Sequence, residues 1–250
     1  MTSRRLRYTP GQGVTVVLEG NRGANGLTRD LQGRLISAEA EPRSVTRVAA
    51  DGTVTIIADQ YQGKRLLPPN DVIVKSDGSI YFTCPPPQFE VGESDASIGV
   101  YRVLPDLSSI ALVAEDLAVP NGLAFTPDEK VLYVNDSKPR HVRAYDVLAS
   151  GLLAKNSGRV FADLSGGEPG TTDGLKVDRA GNVYSGGSGG LYILDPKGKK
   201  LGRIHHGLSF TTNVAFGGDD WKTLYFTTRS SLNMVNVKVP GVPVWGPQPA

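Results

Sequence analysis

The sequence lacks the features that define several large classes of protein. Cys84 is the one cysteine among 250 residues, which excludes an internal disulfide and a cysteine-based zinc cluster. No apolar run is long enough to span a bilayer, and the N-terminus has no apolar segment typical of a signal peptide. We therefore expect a cytoplasmic protein without a membrane partner.

Clustered positive charge is also missing. The formal net charge is +2, and no basic run exceeds the dipeptides Arg4-Arg5 and Lys199-Lys200. Proteins that bind nucleic acids carry Lys and Arg concentrated on one face, so we expect no nucleic-acid partner. The Gly187-Ser188-Gly189 segment is typical of a turn. It predicts neither a nucleophile elbow nor a phosphate loop, because no helix follows it.

Sustained helical periodicity is the third absence, and it favours an all-β chain. The 30 glycines and 17 prolines suit tight turns and disfavour helix interiors. The clearest pattern lies at residues 119–136. There a turn at Thr126-Pro127-Asp128-Glu129-Lys130 joins two predicted strands, because proline fixes φ and the Asp side chain bonds to local backbone.

Weaker copies of this pattern recur at intervals of roughly 40–50 residues, the period of a four-stranded propeller blade. The five starting segments are Asn25-Gly26-Leu27, Asn70-Asp71-Val72, Asn121-Gly122-Leu123, Asp173-Gly174-Leu175 and Asn213-Val214-Ala215. Each of these segments begins the inner pair of strands of a blade, which we call its inner half. The sequence contains six outer pairs of strands, or outer halves, for these five inner halves. The pattern predicts a single domain, residues 1–250, folded as a six-bladed β-propeller with the inner half of blade one missing at the N-terminus. Truncation is the favoured reason, and a ring that closes differently is the alternative.

Polar residues at the starts of the inner strands predict a cation site. Equivalent positions in successive blades converge on the propeller axis, so we expect Asn121, Asp173 and Asn70 to meet there. Their oxygens are hard donors that suit Ca²⁺ or Mg²⁺. A cation there polarises a carbonyl and activates water, and Asp173 is a candidate ligand, general base or both. Asn25 and Asn213 share the repeat phase and are weaker candidates, since such residues are also common in turns.

Four segments together resemble the gluconolactonase/SMP-30 (regucalcin-like) family. They are residues 69–83, 121–133, 173–184 and 212–218, so the resemblance extends over nearly the whole chain. It implies a six-bladed propeller that binds a divalent cation at its central mouth. Ca²⁺ is the first choice, with Mg²⁺, Mn²⁺ and Zn²⁺ as alternatives. It also implies hydrolysis of a small-molecule substrate, a sugar lactone or another lactone.

The resemblance further implies a ligand set of one Glu, one Asn, one Asp, and a further Asn or a water. Asn121 and Asp173 match the Asn and the Asp, and Asn70 matches the additional Asn. The Glu has no counterpart, because it belongs to a strand that would precede Met1. The family residues thus predict Asn121, Asp173 and Asn70 as metal ligands and Asp173 as the catalytic residue.

Other positions depart from the family pattern or lack a predicted role. Cys84 stands where an Asp is usual, and Ala40 stands where a His commonly follows the Glu that corresponds to Glu39. Glu39 is a candidate mouth carboxylate, whereas a nucleophilic role for Cys84 has no histidine to support it. The histidines, which carry no sequence signature of catalysis, are His141, His205 and His206.

Two hypotheses remain from the sequence. The first is a divalent-metal-dependent lactonase, in which the intact polar residues hold a cation that polarises the lactone carbonyl. The second is a truncated or degenerate propeller that binds a small molecule or a partner without turnover. The missing Glu, Cys84 and Ala40 favour the second, and the retained Asn121 and Asp173 favour the first. Metal-dependent lactone hydrolysis distinguishes them.

Overall fold

A computed structural model describes residues 4–87, 92–207 and 210–244, and these form strands and turns without any helix. Five antiparallel sheets form the blades of a propeller, four with four strands and one with three, so the predicted all-β propeller is confirmed. No helix of the described ranges is long and apolar enough to cross a bilayer.

The strands follow one another through the blades in chain order. Blade A contains β3 (Ala24–Arg29), β4 (Leu35–Glu39), β5 (Ser44–Val48) and β6 (Val54–Ala58). Blade B contains β9 (Val72–Val74), β10 (Ile80–Cys84), β11 (Gly99–Val103) and β12 (Ile110–Ala114). Blade C contains β13 (Pro120–Phe125), β14 (Val131–Asp136), β15 (His141–Asp146) and β16 (Arg159–Asp163). Blade D contains β17 (Leu175–Val177), β18 (Val183–Gly187), β19 (Gly190–Leu194) and β20 (Lys200–Ile204). Blade E contains β21 (Asn213–Gly217), β22 (Thr223–Thr227) and β23 (Leu232–Asn236).

Two hairpins lie outside the blades: β1 (Arg4–Thr9) with β2 (Gly13–Glu19), and β7 (Gln60–Tyr61) with β8 (Lys64–Arg65). The first hairpin bridges blades A and E. The Arg5 guanidinium donates to Ser37 Oγ in blade A at 2.9 Å, and the Tyr8 ring lies 6.2 Å from the Tyr225 ring of blade E. Every residue of β2 is exposed.

The turn between β13 and β14 forms as the sequence predicts. Thr126 Oγ1 donates to Asp128 Oδ1 at 2.7 Å, and the Lys130 N–H donates to the same oxygen at 3.2 Å. The Glu129 N–H donates to the Thr126 carbonyl at 2.9 Å, with Glu129 in the left-handed region at φ 55°. An Asp side chain that satisfies local N–H groups stabilises this reversal, and it brings β14 back beside β13.

Four apolar cores join the five blades in series. Alternate side chains of each strand face opposite sides of a blade, so each blade contributes to the core on either side. In the core between blades A and B, the Phe82 and Tyr101 rings stack at 5.4 Å with an angle of 15°. Ile36 of blade A is fully buried in the same core. These inter-blade cores fix the positions of the inner strands around the axis.

The last blade differs from the prediction. The last of the six outer halves in the sequence is residues 232–241, which predict a strand, a turn at Val239-Pro240-Gly241 and a further strand, but no fourth strand pairs with β23 among the described residues. The chain instead crosses to blade D, where the Arg179 N–H donates to the Pro240 carbonyl at 2.9 Å and the Val242 N–H donates to the Val177 carbonyl at 3.1 Å. The count of six blades with an incomplete first blade stays a prediction.

Candidate functional site

The inner strands β3, β9, β13, β17 and β21 all begin at one end of the ring, which we call the mouth. Backbone hydrogen bonds join the strand starts of blades A and B, of blades C and D, and of blades D and E. The Gly26 N–H donates to the Asn70 carbonyl at 2.7 Å, and the Gly122 N–H donates to the Asp173 carbonyl at 3.2 Å. The Gly174 N–H donates to the Thr212 carbonyl at 3.0 Å. This repeated contact gathers the polar residues of successive blades at the mouth.

The same register corrects one sequence interpretation. Thr212, rather than Asn213, is the counterpart of Asp173, because it is Thr212 that accepts the inter-blade bond. The Asn213 side chain is used locally, since its Oδ1 accepts the Val214 N–H at 2.8 Å. Asn25, the remaining secondary candidate, lies at the start of β3 and is exposed.

Asn121 and Asp173 lie together at the mouth. The Asn121 side-chain amide is close enough to the Asp173 carboxylate to lower its pKa by hydrogen bonding, and Asn121 Nδ2 donates to Ser137 Oγ at 3.1 Å. These bonds use the amide N–H groups and leave Asn121 Oδ1 buried without a hydrogen-bond partner. A buried acceptor of this kind is costly unless a ligand satisfies it. The geometry therefore leaves an oxygen available beside a carboxylate.

The Asp173 carboxyl group titrates near neutrality. Burial raises its pKa to about 7, and the neighbouring Asp71 charge acts in the same direction. Hydrogen bonds from the Asn121 side chain and the Gly174 N–H oppose the rise. Two carboxyl groups that share a poorly hydrated site disfavour double ionisation. A cation bound between them would favour the ionised forms.

Asp71 is a mouth residue that the sequence interpretation did not select. Its Oδ1 accepts the Val72 N–H at 2.9 Å, and its Oδ2 is buried without a hydrogen-bond partner. Burial raises its pKa, while the Lys176 charge and the N–H groups of Val72 and Leu123 lower it. The available signal was its place directly after Asn70 in the repeated motif.

Asn70 is less closely tied to the pair. It is half-buried at the mouth, and its backbone accepts from Gly26 and donates to the Thr83 carbonyl at 2.8 Å. Its chain position corresponds to that of Asn121, one blade earlier. Its role as a metal ligand stays a prediction.

Blade C holds the backbone of Asp173 in place. Asn135 is fully buried, and its Nδ2 donates to the Asp173 carbonyl at 2.5 Å and to Ser185 Oγ at 2.9 Å. Thr172 Oγ1 donates to the Asp136 carbonyl at 3.1 Å, and the Ser137 hydroxyl donates to the Thr172 carbonyl. Asn135 therefore positions the backbone of Asp173. It lies near the end of residues 119–136, the segment with the clearest sequence pattern.

Glu39 is buried at the end of β4. Its Oε1 accepts from Thr46 Oγ1 at 2.8 Å, and its Oε2 lies 3.4 Å from the Arg22 guanidinium. Oε1 thus has a partner in blade A, whereas Oε2 is buried without a hydrogen bond. Its predicted role as a mouth carboxylate remains untested.

Cys84 occupies a position that an acid fills in the next blade. Its counterpart is Asp136, whose carboxylate accepts the N–H groups of Ala118 and Val119 at 2.9 and 2.8 Å. The residue that corresponds to Val119 is Pro68, which has no N–H to donate. Residue 68 therefore has no N–H that requires an acceptor at position 84, and a thiol can replace the carboxylate there. The Cys84 thiol is fully buried, lies 3.4 Å from the Leu67 carbonyl, and has a pKa raised by burial, which disfavours a nucleophilic thiolate.

This pairing predicts coupling between residues 68 and 84. We expect Cys84→Asp alone to lower the free energy of unfolding by about 3 kcal/mol, because it buries a poorly satisfied carboxyl group. Adding Pro68→Val restores the N–H found in blade C. In urea unfolding, the double variant should recover about 1–2 kcal/mol relative to the sum of the single changes. Strict additivity would show that the two positions are independent.

The histidines have other neighbours. His141 Nε2 lies 4.0 Å from Asp163 on the outer part of blade C, and His206 Nε2 lies 2.8 Å from Thr211 Oγ1. His205 Nε2 is 3.9 Å from Glu168. None of these contacts includes Asn121 or Asp173. The candidate site is thus built from carboxylate and amide groups.

The donor set at the mouth fits a hard divalent cation. Within residues 4–87, 92–207 and 210–244, no group of three or more His, Cys, Asp or Glu side chains is arranged to hold a metal ion. Two of the three predicted ligands are instead asparagines, whose side-chain carbonyl oxygens also bind hard cations. The partnerless oxygens of Asn121 and Asp71 are both acceptors, and oxygen acceptors are what Ca²⁺ and Mg²⁺ require.

A pH effect on stability follows from the buried carboxyl group. Unfolded Asp ionises near pH 4, whereas folded Asp173 keeps its proton until its pKa of about 7. Without divalent cations, the free energy of unfolding should therefore fall between about pH 4 and 7 and then level off. The fall attributable to Asp173 is at most about 4 kcal/mol. Thermal unfolding of the parent and of Asp173→Asn across this range checks it; equal slopes would contradict it.

Comparisons with known proteins agree with this architecture. Residues 1–230 match the family model described as the SMP-30/Gluconolactonase/LRE-like region. A gluconolactonase of Zymomonas mobilis is 29% identical over 261 aligned residues, covering 94% of this chain and 72% of the relative. A gluconolactonase structure from Xanthomonas campestris is 34% identical with a TM-score of 0.82, covering 96% of this chain and 79% of that chain.

A more distant structure shares the fold alone. It is regucalcin from Agrobacterium tumefaciens, described as a calcium-binding protein, at 18% identity and a TM-score of 0.65. The match covers 98% of this chain and 97% of that chain. The propeller arrangement is thus retained across a wide range of sequence divergence.

Proposed function

The chain belongs to the SMP-30/gluconolactonase/LRE-like family, and from that premise we propose that it is a divalent-metal-dependent lactonase acting on a sugar lactone or a related lactone. The observation that carries the proposal is the meeting of Asn121 and Asp173 at the mouth, with Asn121 Oδ1 buried and without a partner. The lactonase names of its relatives support the same substrate class.

In this proposal Asn121, Asp173 and Asn70 hold the cation, and Ca²⁺ is the first choice, with Mg²⁺, Mn²⁺ and Zn²⁺ as alternatives. The bound cation supplies Lewis-acid polarisation of the lactone carbonyl and lowers the pKa of water nearby. Asp71 adds negative charge close to Asp173 and strengthens the attraction of the mouth for a cation. The blades hold these groups in place before the substrate binds.

The Asp173 carboxylate acts as the general base. It accepts a proton from the attacking water as the new bond forms between the water oxygen and the carbonyl carbon. The bond between that carbon and the ring oxygen then breaks, and the proton passes to the leaving alkoxide to give the hydroxy acid. The Asn121 hydrogen bond orients the carboxylate, and Asn135 fixes the Asp173 backbone.

A second candidate is a binding module without turnover. The ligand set that the family resemblance implies is incomplete in this sequence, because the Glu has no counterpart. Asn121 and Asp173 would then hold a cation, and the cation would bind a small molecule that the protein does not hydrolyse. Metal binding without hydrolysis distinguishes this candidate from the lactonase.

Metal removal tests the proposed function. Hydrolysis of glucono-1,5-lactone, followed by acid release, should fall at least about 100-fold in protein treated with EDTA. Adding back Ca²⁺, Mg²⁺, Mn²⁺ or Zn²⁺ singly should restore the rate and identify the effective metal. An unchanged rate after complete metal removal would contradict metal dependence. If the protein binds the metal but hydrolyses none of several tested lactones, the second candidate is favoured.

A further inference from the structure

An apolar cavity lies at the end of the ring opposite to the mouth, where the inner strands finish. Its volume is about 540 Å³, within the range of roughly 300–1,000 Å³ that is typical of small-molecule sites. Its apolar walls include Leu27, Leu35, Ile73, Ala124, Phe125 and Phe216. We call this space the far cavity. Its lining comes from the inner strands of all five blades.

The segment after β23 forms part of one wall. Val242, Pro243 and Val244 line the far cavity, and the Gly241 N–H donates to the Trp221 carbonyl at 2.8 Å. A Cβ at Gly241 would lie 2.0 Å from the Phe216 ring, so the segment packs tightly against blade E. The wall is therefore anchored to blades D and E by backbone contacts.

Besides the exposed Arg29, one further cation, Lys176, lines this cavity. It lies between the buried Leu175 and Val177 on β17, and its ammonium donates to the Leu175 carbonyl at 2.9 Å. The structure gives it no hydrogen bond or ion pair with a carboxylate in the described ranges. Asp71 attracts it electrostatically, but Asp71 Oδ2 makes no hydrogen bond. The ammonium thus retains donors for a ligand.

Two acidic residues line the cavity, Asp128 and Glu129. Asp128 Oδ1 accepts the Thr126 hydroxyl at 2.7 Å and the Lys130 N–H at 3.2 Å, and its carboxylate lies 3.9 Å from the Lys130 ammonium.

Glu129 also has partners. Its carboxylate accepts the Ser76 N–H at 2.7 Å and the Ser76 hydroxyl, and it lies 3.0 Å from the Lys75 ammonium. The charge that remains to be matched within the cavity is therefore positive. Apolar walls with two cationic residues, Arg29 and Lys176, are complementary to an amphiphilic anion.

We propose that the far cavity binds a linear aliphatic carboxylate. The alkyl chain lies against the apolar ends of the inner strands, and the carboxylate head accepts hydrogen bonds from Lys176. This site is separate from the mouth and does not depend on lactone hydrolysis. Its ligand is recognised by chain length and by negative charge together.

Calorimetric titration of the intact protein with hexanoate, octanoate and decanoate tests the proposal. Affinity should rise about fourfold for each added CH₂ group, and 1-octanol should bind at least tenfold more weakly than octanoate. Lys176→Met keeps an apolar stem and removes the charge, so it should lower octanoate affinity at least tenfold and leave octanol affinity unchanged. A flat chain-length series, or equal affinities of octanoate and octanol for the parent, would overturn the proposal.

Two controls locate the binding. Ala215→Phe fills the far cavity from β21 and should abolish octanoate binding, with thermal unfolding as the check that the variant folds. Asn121→Ala alters the mouth and should leave octanoate affinity unchanged. Loss of octanoate binding in Asn121→Ala would place the ligand at the mouth and refute the far cavity as its site. The titrations of the parent protein with the three carboxylates and with octanol decide the outcome even if the cavity variants fail to fold.

Discussion

Asp173→Asn should lower lactone hydrolysis by at least about 1,000-fold while the protein remains folded. General-base catalysis alone is worth about 10²–10⁴-fold, and this substitution also removes the negative charge of a proposed metal ligand. Burial holds the pKa of Asp173 at about 7, so ionising it without a cation destabilises the fold. In metal-free protein above pH 7, the melting temperature of Asp173→Asn should therefore equal or exceed that of the parent.

The matched control is Asp163→Asn. Asp163 lies at the end of β16 with its side chain 58% exposed, so the same chemical change there should leave the rate within twofold of the parent. Rates are measured with saturating cation, and thermal unfolding is followed in the same samples. Activity of Asp173→Asn within tenfold of the parent would contradict its role as the base.

Gly122→Ala should disrupt both the site and the fold. A Cβ at residue 122 would lie 2.3 Å from the Asp173 carbonyl oxygen and 2.6 Å from Gly174 Cα. Both contacts are with backbone, which cannot rotate away as a side chain would. Separating β13 from β17 breaks the bond from the Gly122 N–H and moves Asp173. We expect a loss of about 3 kcal/mol in the free energy of unfolding and at least about 100-fold in rate.

Gly167→Ala is the corresponding control, because a Cβ at Gly167 meets no atom within 4 Å. Gly167 lies in the loop that leads to Asp173. The substitution there should change the free energy of unfolding by no more than about 0.5 kcal/mol and should leave the rate of hydrolysis unchanged. Urea unfolding and initial rates are measured for both variants. A Gly122→Ala protein as stable and active as the parent would show that the close approach of the two strands is not required.

Much of the blade pattern could be predicted from the sequence because its signals are local. Alternation of apolar residues and the turn chemistry at Asp128 determine where strands end, and the structure confirms that turn. Asp178 forms a similar turn in blade D, where its Oδ1 accepts the Asn182 N–H at 2.9 Å. The pairing of Asn121 with Asp173 followed from their matching places in consecutive repeats. Local patterns of this kind do not depend on how distant segments pack.

Features that depend on contacts between blades were missed. Asp71 contributes to the mouth because Gly26 has no side chain, and a Cβ there would lie 2.4 Å from Asp71 Oδ1. The shift from Asn213 to Thr212 is a difference of one residue in register, which the sequence pattern does not resolve. The segment after β23 leaves blade E because Val177 and Arg179 of blade D offer it backbone partners. Such partners are distant in sequence.

The most direct test of the central claim is a crystal structure of the protein soaked with Mn²⁺, with anomalous diffraction used to locate the ion. We predict one strong peak at the mouth, within about 2.6 Å of Asn121 Oδ1 and of an Asp173 carboxylate oxygen. The peak should be lost in the double variant Asn121→Ala/Asp173→Ala. A fully soaked crystal with no peak there, or with its strongest peak bound elsewhere, would contradict the proposed site.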